Sequence, residues 1–296
     1  MGSGGCTKVR WEEMFPAELL AAIRKTRTCF LAYGLAEPHG PYNAIGLDWL
    51  KAETLVRRAA QKHGAVVAPP FAWHITEEPR FHGPWFSGIG LKQPLASAIP
   101  ADLFYRTVLY QIRAADARGF RAAVLVTGHY GGPERVLRLL CEYYTRRTGS
   151  PLRLCALADW ELIRFEDYHG DHAGVTETSQ LMALRPDLVD LHRTKTPVAL
   201  GGRLLGRTFP DKRGRTPNAE LGEHIVRSQV ERLGEIKREL LAAYRPKKAW
   251  KAPSLTDTED IWSRFERVTR KYWTATWREY KEKSAPKWPG WEALGE

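Results

Sequence analysis

Glu37 and His39 stand two residues apart just beyond a short apolar run, and in extended chain that spacing turns both side chains to the same side. A carboxylate oxygen beside an imidazole nitrogen is a donor pair suited to a divalent transition metal. Asp48 follows where a helical pattern begins; the helix dipole favours a carboxylate there, and its two oxygens are able to bridge two cations. Taken alone, a Glu, a His and an Asp this close together serve more often as surface or capping groups than as ligands. His129 strengthens the case, because it too lies where an apolar run breaks into a glycine-containing turn. On position alone, a turn residue with a satisfied side chain accounts for it equally well. Further on, Asp171-His172-Ala173-Gly174 precedes Glu177-Thr178-Ser179 at an expected helix start. That placement suits His172 to proton transfer and Glu177 to metal ligation. Stabilisation of the helix N-terminus is the plainer role for Glu177.

The elements that must carry these residues alternate. Residues 28–34 (TCFLAYG) predict a buried strand, residues 47–63 a helix stopped by Gly64, and AVVAP a second strand-like run. Residues 69–94 are dense in Pro, Gly and aromatics and predict an irregular excursion of the kind that covers a site. A helix over 103–118, a strand over 122–127, a helix over about 134–147 and a strand over 152–159 follow. Helices near 177–184 and over 219–244 complete the pattern. Strands alternating with helices predict an α/β fold, a three-layer α/β/α arrangement around a mostly parallel sheet. In such sheets ligands bind beyond the carboxyl ends of the strands, where Glu37, His39 and His129 fall. Residues 1–244 are read as the main domain. Residues 245–296 are read as a basic, Trp-rich extension packing on that domain or at an oligomer contact.

The bulk composition is that of an ordinary globular chain: 296 residues, 43% hydrophobic and 27% charged, which is enough apolar sequence for one large core. The net charge of +11 suits a polyanionic partner only where the cations cluster. Many lie late, among them Arg245, Lys247, Lys248, Lys251, Arg264, Arg267, Arg270 and Lys271, but acids are interleaved, so a solvated helix face is the simpler reading. No nucleic-acid-binding motif accompanies them. Trp250, Trp262, Trp273, Trp277, Trp288 and Trp291 are read as core or interface caps ahead of a base-stacking platform. Cys6, Cys29, Cys141 and Cys155 have neither zinc-site spacing nor the density of a disulfide scaffold. No stretch is apolar for long enough to cross a membrane, and the opening residues lack a signal-peptide core. The expected location is cytoplasmic.

Three segments carry a family resemblance. GLAEPHGPYNAIGLD resembles the first motif of the creatininase (creatinine amidohydrolase) family, TGHYGG its second and DHAGVTETSQLMALRPDLVDL its third, in order, over residues 11–191. The resemblance implies a metal-dependent hydrolase of cyclic or small linear amides, formamides included, working as a homo-oligomer. Glu37, His39, Asp48 and His129 match the family's metal ligands, with Asp48 the bridge where two ions bind. Glu177 matches a further carboxylate near the centre, and His172 a proton-transfer residue. The chain departs from creatininase itself at Gly131, where that enzyme has a glutamate, and at Tyr42, Asn43 and Leu47 in the first motif.

The expected chemistry is a divalent ion (zinc, iron or manganese, one or two per chain) that activates water to attack an amide carbonyl, with His172 and Glu177 in catalytic positions. Backbone N–H groups of the Gly128–Gly132 turn are expected to steady the oxyanion. His74, His82, Trp85, Tyr130, Gly131 and Arg80 are candidate substrate contacts, with loop packing the more common role for residues placed as His74, His82, Trp85 and Arg80 are. The alternatives are a catalytically inactive scaffold, motivated by Gly131, and a basic nucleic-acid-binding protein, motivated by the charge and the tryptophans.

Overall fold

The computed structural model describes residues 8–75, 96–164, 170–195, 209–273 and 288–296. Four parallel strands form one sheet in the order β2-β1-β3-β4: β1 (Thr28–Tyr33), β2 (Val66–Val67), β3 (Ala122–Thr127) and β4 (Arg153–Ala158). The short apolar sequences of β1, β2 and β3 are buried on both faces, as parallel sheets require, and the edge strand β4 is buried in its second half. On one face, Phe30, Val124, Val126 and Leu157 pack under α2 (Leu47–His63) and the long helix α6 (Ala219–Ala243). On the other, Cys29, Leu31, Tyr33, Ala123 and Leu125 pack with α3 (Ala101–Ala117) and α4 (Pro133–Thr148). Between β1 and its preceding turn, α1 (Pro16–Thr26) buries Ile23 on this second side. The short α5 (Val175–Leu184) lies against α6 and α2. The three-layer α/β/α arrangement expected from the alternation is therefore present, with helix ends within two residues of the expected positions.

The tail joins this core. Helix α7 (Leu255–Thr269) packs on α3 and α4, and Trp262, Phe265 and Trp291 are buried in the same apolar cluster as β1 and β3. Trp262 and Trp291 therefore present no open ring face for a base, while Trp250, Trp273 and Trp288 are half-buried. Trp250 donates its Nε1–H to the Asp116 carboxylate, and Arg264 and Tyr143 hold the Glu296 side chain. Trp277 lies outside the described residues. Among the described residues no helix is long and apolar enough to cross a membrane. Cys29, Cys141 and Cys155 are free thiols.

Register places the working edge. Tyr33, Thr127 and Ala158 align across β1, β3 and β4, so the chain leaves all three strands at one rim. The N-terminal turn of α2 is pressed onto that rim. A Cβ on Gly128 would lie 2.0 Å from the Asp48 carbonyl oxygen, and one on Gly34 would lie 2.3 Å from the Trp49 nitrogen. Only glycine lets the two strand ends and the helix meet, and the meeting delivers Asp48. Gly128→Ala is accordingly expected to cost about 1–3 kcal/mol or more through forced displacement of α2. Denaturant unfolding of the metal-free protein checks this; a midpoint shift indistinguishable from zero would show that the contact is not tight.

Candidate metal centre

Glu37, His39, Asp48, His129 and Glu177 converge beyond the sheet rim, all nine-tenths or more buried. Asp48 stands between two histidines: its Oδ1 is 3.1 Å from His39 Nε2 and its Oδ2 is 3.1 Å from His129 Nδ1. Glu37 Oε1 lies 3.2 Å from His129 Nδ1, and Glu177 Oε2 lies 3.6 Å from His39 Nε2. Two donor triads result, Glu37–Asp48–His129 and His39–Asp48–Glu177, each with ligand atoms within 4.8 Å of one another and each using Asp48. A third grouping, Glu37–His39–His172, adjoins them.

The orientation of His39 is set from behind. Its Nδ1 lies 2.8 Å from the Glu37 carbonyl, so Nδ1–H donates there and Nε2 is aimed at the carboxylates. That buried Nε2 makes no hydrogen bond of acceptable geometry despite its close oxygens, and neither does His129 Nε2. Buried polar atoms are nearly always paired, so the unpaired His39 Nε2 beside Asp48 and Glu177 fits a cation that would complete the set, whereas His129 faces its carboxylates through Nδ1.

Charge follows the same logic. Burial alone would suppress protonation of His39, but Asp48, Glu177 and Glu37 outweigh it and raise its pKa to about 9. His129 is pushed well above its ordinary value against the same desolvation, by Glu37 and Asp48. Reciprocally, the histidines hold Asp48 well below, and Glu37 below, the usual carboxylate range despite burial. A raised histidine pKa means that at neutral pH the metal-free site holds protons where a cation would bind. Cation uptake must expel them. Uptake is expected to release at least about one proton at pH 7, with apparent affinity rising about tenfold per pH unit below the His39 value. Calorimetry in two buffers of different ionisation enthalpy measures this, and zero proton release would contradict the ligand assignment.

Glu177 is positioned by several contacts. Asp171 accepts N–H from Thr176 and Glu177 at 2.9 and 3.1 Å, capping the first turn of α5, and Ala173 N–H donates to Glu177 Oε2 at 2.8 Å. A Cβ on Gly174 would strike that Asp171 carboxylate at 2.1 Å. The Tyr130 hydroxyl lies 2.7 Å from Glu177 Oε1 and 2.6 Å from the Asp171 carbonyl, and accepts the Asp171 N–H. Lys51 is also buried, with its Nζ 2.6 Å from Glu177 Oε1. Desolvation opposes its charge, but Asp159, Glu177 and Asp48 more than offset this and raise its pKa. Asp159 follows directly on β4, with its pKa raised to about 6 by burial, which Lys51 only partly counters. From the first motif, Tyr42 donates to the Ala173 carbonyl at 2.7 Å and Asn43 to Thr178 at 3.0 Å, tying the Glu37–His39 loop to α5.

His172 is the most open of the clustered histidines, with its side chain 33% exposed. Its ring stacks on His39 at 4.4 Å, its Nε2 lies 3.0 Å from the Pro38 carbonyl, and its Nδ1 lies 3.7 Å from Glu37 Oε1. Burial and the neighbouring His39 lower its pKa, favouring the neutral ring.

The candidate substrate contacts that the structure describes are engaged within the protein. His74 is fully buried between Phe104 and His129, with Nε2 3.2 Å from Thr127 Oγ1, so it backs the His129 ring. Tyr130 turns its hydroxyl onto Glu177 and Asp171. Three of the turn amides expected to face an oxyanion have partners within the protein: Gly128 N–H donates to the Tyr33 carbonyl, and Gly131 and Gly132 both donate to Glu134 Oε2 at 3.2 and 3.1 Å. Glu134 folds back from the first turn of α4 and takes the donors that an oxyanion would need. Arg80, His82 and Trp85 lie outside the described residues.

The sheet thus gathers at one rim a shared aspartate between two groups of His and carboxylate donors that could hold metal ions. The chain belongs to the creatininase family, whose model, creatinine amidohydrolase, matches residues 12–236. It is 28% identical to the creatinine amidohydrolase of Pseudomonas putida over 183 residues, 55% of this chain and 66% of that enzyme, so the match spans just under two thirds of the relative. A manganese form of creatininase superposes with a TM-score of 0.60 at 25% identity, covering 81% of this chain and all of that one. A creatininase variant complexed with creatine gives 0.60 at 25% identity, covering 79% and 99%.

Proposed function

We propose that this chain is a metal-dependent amidohydrolase that opens a small cyclic amide or cleaves another non-peptide C–N bond of lactam or formamide type. The observation that carries this reading is Asp48, whose two oxygens face the histidines of two separate donor triads at the carboxyl edge of the sheet. A divalent cation held there supplies a nucleophile from water at neutral pH and polarises the amide carbonyl.

The chain's own residues do the rest. Glu37, Asp48 and His129 form one cradle, and His39, Asp48 and Glu177 the other. Asp171, Tyr130 and the Ala173 amide keep Glu177 from rotating. His172, neutral and partly open, takes the proton of the attacking water and returns it to the nitrogen as the C–N bond breaks. Glu37 Oε1, between His129 and His172, steadies that imidazole while it is charged. The lack of a side chain at Gly131 and the first-motif departures at Tyr42, Asn43 and Leu47 favour a substrate other than creatinine.

The test is a panel of lactams, formamides and creatinine offered to chelator-stripped protein reloaded with zinc, manganese or iron, with products followed by mass spectrometry. Hydrolysis that disappears on stripping and returns on reloading is the expected result. A fully loaded protein that turns over no member of the panel would count against the reading.

A further inference from the structure

Residues 72–75 and 96–99, which lie between β2 and α3, pair with each other behind the metal-centre residues. His74 bridges to Ala98 in parallel fashion: its N–H donates to the Ser97 carbonyl at 3.2 Å, and its own carbonyl accepts the Ile99 N–H at 2.9 Å. Ser97 ties this paired stem to the first-motif loop. Its backbone N–H donates to the Ala36 carbonyl and its hydroxyl accepts the Ala36 N–H, both at 2.9 Å, while the hydroxyl proton goes to the Ala72 carbonyl at 2.8 Å. Ala36 immediately precedes Glu37, so the stem grips the chain one residue from a ligand.

The side chain of His74 reaches a second ligand. It is fully buried, with Nε2 3.2 Å from Thr127 Oγ1, and Oγ1 in turn lies 2.5 Å from the His129 carbonyl oxygen. That carbonyl only accepts, so the single Thr127 proton is committed to it and Oγ1 is left to accept from His74 Nε2–H. Burial and the neighbouring His129 keep the His74 ring neutral. One proton then serves Nε2, and Nδ1 faces the Ile75 carbonyl at 3.1 Å without one. Packing sets the ring plane: Phe104 lies 4.1 Å away on one side, and the His129 ring 5.2 Å away at 69°. A neutral imidazole in this place supports His129 without adding a positive charge beside a cation site.

We propose that His74, acting through the Thr127 hydroxyl, is a positioning residue for His129, and that Ser97 on the same stem positions Glu37. One paired stem thereby fixes two of the three donors of the Glu37–Asp48–His129 group, while α2 carries Asp48 separately. This rests on the metal-centre reading above and adds what holds two of its ligands in place. Outer partners of this kind set the direction of a ligand's lone pair, and their loss is felt in metal affinity before it is felt in folding.

The experiment measures the zinc affinity of the chelator-stripped full chain by competition with a chelating dye, beside the denaturation midpoint of the metal-free protein. Two matched pairs of variants separate the hydrogen bond from packing. Thr127→Val exchanges the hydroxyl for a methyl group of similar size, and Thr127→Ser keeps the hydroxyl. His74→Phe keeps a ring, and His74→Gln offers an amide N–H in place of Nε2–H. Thr127→Val and His74→Phe are each expected to weaken zinc binding about 10- to 100-fold, and Ser97→Ala about tenfold. Thr127→Ser and His74→Gln are expected to bind zinc nearly as the unmodified protein does. Because both residues act along one path, Thr127→Val combined with His74→Phe should lose little more than either alone. The cobalt-substituted protein should show an altered visible absorption spectrum in the Val and Phe variants and the unmodified spectrum in Thr127→Ser. Should His74→Phe fail to fold, the Val and Ser variants at position 127 decide the matter. Zinc affinity unchanged in Thr127→Val, or lost equally in Thr127→Ser and in step with the midpoint, would overturn the proposal and leave the metal centre standing. An unmodified protein that binds no zinc, manganese or iron would overturn the metal-centre reading itself.

Discussion

Asp48→Ala is expected to reduce amide hydrolysis by about 10³-fold or more, because losing a Lewis acid removes several kcal/mol of charge stabilisation at about 1.4 kcal/mol per tenfold. Asp48 is the one residue common to both triads, so its loss weakens both ion positions, whereas loss of Glu37 or Glu177 strikes one. The physical signature accompanies the kinetic one. A ligand that binds only the folded chain raises stability by mass action, about 2.7 kcal/mol at a hundredfold excess over its dissociation constant. The unmodified protein should therefore melt several degrees higher with metal than with chelator. Asp48→Ala should melt at the same temperature in both. A variant that kept its metal-dependent shift would show that Asp48 is not the bridge.

His172→Ala is expected to lower kcat by about 10²- to 10⁴-fold, the usual share of a positioned proton-transfer group, while metal content stays unchanged. The separation follows from the geometry. His172 lies beside the cradles, stacked on His39 and 3.7 Å from Glu37, and is the cluster member most open to solvent. Its lowered pKa, from burial and the neighbouring His39, keeps it in the proton-accepting form around neutrality. The acidic limb of the kcat profile should accordingly fall at a pH below the ordinary histidine value and vanish in the variant. Intact turnover in His172→Ala, or parallel loss of metal, would transfer the role elsewhere.

Much of this centre was legible because the ligands obey local rules. Glu37 and His129 lie within four residues of the ends of apolar strands, Asp48 opens a helix, and parallel α/β sheets gather such positions at one edge. The motif-like segments then supplied an order and a family. Lys51 escaped notice because a lysine in an amphipathic helix reads as a solvent-facing residue. The available signal was its i, i+3 spacing from Asp48, which puts both on one helical face. Asp159 was equally open to the strand-end rule, since it directly follows β4. The commitment of the turn amides to Glu134, and of Tyr130 to Glu177, depends on how loops fold back. No periodicity in the sequence encodes that. Nor does any periodicity encode which tail residues pack inward: Trp262 and Trp291 fill the apolar cluster over α3 and α4.

The most direct test of the central claim is elemental analysis of the protein purified without added metal, expressed as moles of zinc, iron and manganese per chain. At least one divalent ion per chain is predicted, lost in Asp48→Ala and retained in His172→Ala. A chain that carries no such ion, and takes up none on incubation with each metal in turn, would contradict the assignment of Glu37, His39, Asp48, His129 and Glu177 as a metal centre.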